Sequence, residues 1–72
     1  MDPSQQELDS RFTYHPPTHK KQAVYVEIRA KAKALAEYLM QNVPDGREKA
    51  LALTKLEESV MWANAGVARG ND

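Results

Sequence analysis

Seventy-two residues suffice for one domain, residues 1–72, but a chain this short buries too little apolar surface to be comfortable alone. Ten basic residues balance ten acidic ones, so the formal net charge is zero, which argues against a general DNA or RNA binder. There is no cysteine, so disulfides and thiolate metal sites are excluded. No apolar run is long enough to span a bilayer, and Met1-Asp2-Pro3-Ser4 lacks the features of a signal peptide. A cytoplasmic protein without membrane attachment is expected.

The N-terminal arm, residues 1–18, opens with helix-start signals. Asp2-Pro3 suits an N-cap and first turn, and Ser4 with Glu7 reads as a capping box. A short helix to about Ser10 is expected. Arg11-Phe12-Thr13-Tyr14-His15-Pro16-Pro17 then reads as an extended strap carrying two aromatic rings, because residues before proline are pushed to extended geometry. His15 and His19 are the sole imidazoles. Two prolines separate them, so they share no helical face, and neither a structural metal nor a cofactor is expected.

The first long helix is expected from Thr18 or His19 to about Asn42, with Thr18 as N-cap. Tyr25, Ile28, Ala32, Leu35 and Leu39 recur at steps of three and four, the spacing of a helix packed along another. Val43-Pro44-Asp45-Gly46 breaks it. Asp45 and Glu48 form a capping box from which a second helix runs to about Arg69, where Gly70 stops it. Its seam is Leu53, Leu56, Val60, Ala63 and Val67. Two such helices joined by a short turn must fold back antiparallel. The fold class is therefore all-α: a short helix and strap (1–18), an antiparallel two-helix hairpin (19–69) and a tail (70–72).

One seam per helix leaves apolar residues over. Val24, Val26, Tyr38 and Met40 lie off the first, and Leu51, Met61, Trp62 and Ala65 off the second. Exposed sets of this kind mark interfaces. Trp62 is read as packing, inside the hairpin or between subunits. With disulfides and metals excluded, self-assembly is the remaining route to stability for so small a scaffold.

No catalytic constellation is present. Ser59 has no histidine near it in sequence, the three glycines are dispersed, and the adjacent Glu57 and Glu58 point to different helix faces. One local feature is less ordinary. His19, Lys20 and Lys21 occupy the first turn of one helix, and Arg47 and Lys49 that of the other, where the macrodipole disfavours positive charge. An anion at these helix starts would resolve the conflict. Phe12 and Tyr14 lie beside the first cluster, and rings with cations are the usual equipment for holding nucleotides. The competing reading is a solvated helix face, with Phe12 anchoring the arm.

The strap Arg11-Phe12-Thr13-Tyr14-His15-Pro16-Pro17 and the run from Arg47 to Ala65, ending Met61-Trp62-Ala63-Asn64-Ala65, resemble the phage proteins that counter the bacterial CBASS and Thoeris immune systems. The similarity covers about Arg11 to Arg69. It implies a small helical protein assembled into hexamers. It also implies a sponge that holds cyclic di- or trinucleotide messengers without cleaving them, in the host cytoplasm; some relatives hold cyclic ADP-ribose-type signals. Tyr14 matches the family strap, so the resemblance implies base stacking there. Arg29 and Lys33, one turn apart on the first helix, or the helix-start lysines Lys20 and Lys21, are the candidates for phosphate, with Phe12 as a second ring and Arg47 for a second, trinucleotide-type site. A helical adaptor without a small ligand and a small nucleic-acid binder remain as rivals.

Overall fold

The computed structural model describes residues 4–14 and 16–70. The Asp2-Pro3 cap, His15 and the last two residues of the tail lie outside the described residues. Three helices follow in chain order: α1, Gln5–Phe12; α2, His19–Asn42; and α3, Arg47–Arg69. There is no strand among the described residues.

Each of the first two starts is fixed by a hydroxyl. Ser4 Oγ accepts from the Glu7 backbone N–H at 3.1 Å, and Thr18 Oγ1 accepts from the Lys21 N–H at 3.1 Å. These bonds satisfy donors that the helix itself leaves open. α1 runs further than its sequence suggests. Arg11 and Phe12 are helical rather than part of a strap, and an Arg11 Nη2 to Glu7 Oε1 pair at 2.8 Å supports that last turn. Extended backbone resumes at Thr13 and is found again at Thr18.

The third start differs from expectation. Gly46, not Asp45, is the N-cap of α3, and no side chain caps it. Gly46 has φ +153°, a conformation open in practice to glycine alone. The Asp45 carboxylate meets Lys49 instead of the helix backbone.

α2 and α3 pack antiparallel along most of their length. Their register can be read from two bonds. Lys21 Nζ reaches the Ala68 carbonyl and Lys49 Nζ the Met40 carbonyl; 21 and 68, like 40 and 49, add to 89. The half-buried seam comprises Tyr25, Ile28, Ala32, Ala36 and Leu39 of α2 against Leu53, Leu56, Val60, Asn64 and Val67 of α3. Leu35 and Ala63, expected on the seam, are exposed, and Ala36 and Asn64 take those levels. The reason is helical pitch. A strict three-four alternation repeats every 3.5 residues, whereas a straight helix turns every 3.6, so the contact line inserts an extra step of four.

The hairpin has no interior of its own. No apolar side chain is fully buried among the described residues, and Trp62, far from packing within the hairpin, is 67% exposed. The accessible surface is 6101 Å², against roughly 4,500 Å² for a compact chain of this mass. The radius of gyration is 15.6 Å, where about 11 Å is usual for this length.

Candidate functional site

The register places Arg29 opposite Val60 and Lys33 opposite Leu56. On one side of the hairpin the two helices therefore leave a shallow cleft of about 480 Å³. Its floor is apolar: Ala32 and Ala36 from α2, and Leu53, Leu56 and Val60 from α3. Small α2 side chains set this depth, because alanine fills less space than the leucines facing it. Arg29 and Lys33 form the α2 wall and Glu57 stands on the α3 wall. A second hollow continues toward the open end of the hairpin, sharing Arg29 and Val60 and adding Tyr25, Asn64, Ala65 and Ala68. Asn64 Oδ1 is shielded from solvent there and has no hydrogen-bond partner.

Arg29 and Lys33 form no hydrogen bond or ion pair among the described residues. Their α2 neighbour Lys31, by contrast, pairs with Glu27 at 3.1 Å. Two cations one turn apart, exposed over an apolar floor, can meet an anion whose remaining surface is flat and apolar.

The other sequence candidates are spread along the molecule. Phe12 closes α1 at 84% exposure, and Tyr14 follows at 80%; neither ring packs on the hairpin. Lys20 is exposed on the first turn of α2, and Arg47 on the first turn of α3. At 1.5 Å per residue, Arg47 stands roughly 20 Å along the hairpin from Arg29. One chain thus joins Arg29 with Lys33 and leaves Arg47 apart.

Lys21 has another occupation. Its Nζ donates to the Ala68 carbonyl at 3.2 Å and the Gly70 carbonyl at 2.9 Å, at the C-terminal end of α3. Lys49 does the same for α2. Only 8% exposed, it donates to the Met40 carbonyl at 2.8 Å and to Asp45 Oδ1 at 2.9 Å. That hydrogen bond and the lysine's charge hold the Asp45 carboxyl below its ordinary range. The helix-start lysines therefore answer the C-terminal carbonyls of the neighbouring helix, a negative pole of the fold's own making. No external anion is needed to explain Lys21 and Lys49. Lys20 and Arg47, one and two residues away from them, are not so engaged.

Glu57 and Asn64 line these hollows although the sequence around them points elsewhere. Glu57 reads as solvated surface until the register brings it over the cleft, and Asn64 was masked by the expectation of Ala63 on the seam.

No helix is long and apolar enough to cross a membrane among the described residues. A family model described as Acb2/Tad1, hairpin domain, matches residues 4–68. No curated protein and no solved structure matches the chain.

Proposed function

The chain belongs to the Acb2/Tad1 hairpin-domain family, and on that premise we propose that it binds and sequesters cyclic oligonucleotide immune messengers without cleaving them, blocking host anti-phage signalling. The family match, which spans the arm helix and both hairpin helices, is the observation that carries this reading. The site's chemistry supports it. Arg29 and Lys33 offer two uncommitted cations for phosphate, and Tyr14 and Phe12 offer rings that stand largely exposed among the described residues.

The protein works as a homo-oligomer, a hexamer by family resemblance, in the host cytoplasm. A cyclic dinucleotide has approximate twofold symmetry, and two copies of one surface hold such a ligand most simply. Each copy gives Tyr14 to a base, Arg29 and Lys33 to phosphate, and Lys20 to the ligand's edge. Arg47 serves a separate site for a cyclic trinucleotide. DNA, RNA and membranes are not partners, and no cofactor takes part.

Calorimetry against a panel of cyclic di- and trinucleotides, with recovery of the ligand afterwards, tests the proposal. Binding with intact ligand is expected. Tyr14→Ala should lose most of the dinucleotide affinity, since a base–aromatic stack is worth about 1–3 kcal/mol, while the assembly stays whole. Cleavage products that scale with protein would replace the sponge by a phosphodiesterase. The helical adaptor is the second reading, favoured by the exposed Trp62 face. It predicts no rise in melting temperature with any member of the panel.

A further inference from the structure

The side of α3 turned away from α2 carries its own repeat. Glu48, Leu51, Lys55, Glu58, Trp62, Ala65 and Arg69 recur at steps of three and four without interruption. That is a strict heptad seam, in contrast to the inner seam with its extra step of four. Six of these seven residues are exposed in the chain, Ala65 being half-buried. Ala65 lies at the edge of the stripe, where it also lines the second hollow, and the other six are open to solvent among the described residues.

From this stripe we infer that α3 packs antiparallel against α3 of a second copy, with a twofold axis passing between Leu56 and Glu57. The register follows from chemistry. In an antiparallel pair, each position of one heptad set faces one of the other set, with a constant sum of residue numbers. A sum of 113 sets Trp62 against Leu51 of the second copy, Lys55 against its Glu58, and Glu48 against its Ala65. Every pair is compatible and the twofold doubles each one. Two apolar clusters then flank a central block of four charges that alternate in sign.

The surface shape agrees independently. A hollow on this face is lined by Glu58, Met61, Trp62 and Ala65, four residues spaced as i, i+3, i+4 and i+7. Four residues at that spacing form the hole that receives a knob in a coiled coil. The same register puts Leu51 of the second copy over the centre of that hole. Lys55 and Glu58 are 3.4 Å apart within one chain, and both side chains remain solvent-accessible enough to turn to a partner.

This inference deepens the assembly part of the proposed function and does not depend on any ligand. Its test uses charge reversal in the full chain. Lys55→Glu and Glu58→Lys each place like charges across the axis, twice per pair, and each should weaken association roughly tenfold. An equimolar mixture of the two variants should regain the parent's sedimentation behaviour, because every cross-axis pair is then opposite in charge. The internal Lys55–Glu58 pair cannot produce that rescue, since both variants carry it broken. As a register check, Glu48→Cys and Ala65→Cys chains, mixed and oxidised, should cross-link to each other in preference to themselves; the chain has no native cysteine to interfere.

Unchanged assembly in both reversals would overturn this interface while leaving self-assembly intact. Dissociation without rescue on mixing would also overturn it. A parent protein that sediments as a monomer would overturn the interface and the oligomeric reading together, whereas loss of nucleotide binding alone would leave the interface standing.

Discussion

The two ends of the hairpin use the same device in different surroundings. At the turn, Lys49 is buried and bonded both to a main-chain carbonyl and to the Asp45 carboxylate. At the open end, Lys21 is half-buried and bonds two carbonyls, of Ala68 and Gly70, and no carboxylate among the described residues. In both cases the lysine begins one helix and finishes the other. A helix leaves its last carbonyls without internal partners. In an antiparallel hairpin the first turn of the neighbour stands beside them. A basic residue at a helix start is thus unfavourable toward its own dipole and favourable toward the adjacent one. Position in sequence alone does not reveal which of the two poles a lysine serves.

If burial and the carboxylate make the turn clamp the stronger, removing it should have the largest effect. Lys49→Met keeps the stem and deletes the charge, leaving Met40 and Asp45 without their donor. A loss of about 2–3 kcal/mol is expected, as for hydrogen bonds to charged groups, read from urea unfolding. Gly46→Ala strains the same end, because φ +153° is not open to alanine without cost. A loss of about 1–3 kcal/mol is expected, with the hairpin retained by circular dichroism. Lys21→Met at the open end should cost less, about 1 kcal/mol. A Lys21→Met loss equal to that of Lys49→Met would end the distinction between the ends.

The smallest effect concerns pH. Lys49 lowers the Asp45 pKa, chiefly through the hydrogen bond and then through its charge. The carboxylate's contribution is therefore fully present above the ordinary carboxylate range and is lost as pH falls through the lowered value. Asp45 is exposed, so water screens much of it. Melting curves taken from pH 6 down to pH 3 should fall slightly more steeply for the parent than for Asp45→Asn. Parallel curves would show that the pair is merely proximate.

Much of the fold was legible because its signals are local. Thr18 caps α2, Gly70 follows α3, and Pro44-Asp45-Gly46 separates them, as the residues themselves suggest. What could not be read depends on pairings distant in sequence. The 47-residue separation between Lys21 and Ala68 exists only once the register is known. Leu35 continues the strict three-four spacing, yet helical pitch selects Ala36 for the seam. The prolines downstream suggest a strap for Arg11 and Phe12, but they constrain only the residues next to them, and the Glu7–Arg11 pair carries α1 past Ser10. For the site, Arg29 and Lys33 were visible as neighbours on one face. The apolar floor beneath them and Glu57 across from them were not, since both require α3.

The Lys21 clamp also has a topological consequence. It holds the last turn of α3 within one lysine side chain of the first turn of α2. A linker of a few residues from Gly70 to His19 could therefore tie the open end covalently, as the native turn ties the other. With the N-terminal arm left out, the hairpin could then be cut at Gly46, giving a circular permutant of the hairpin alone with the same two helices in reversed order. In such a molecule Lys49 would guard an end that is no longer closed, and Lys21 would sit beside a covalent turn, so that the duties of the two lysines would be exchanged without either being moved.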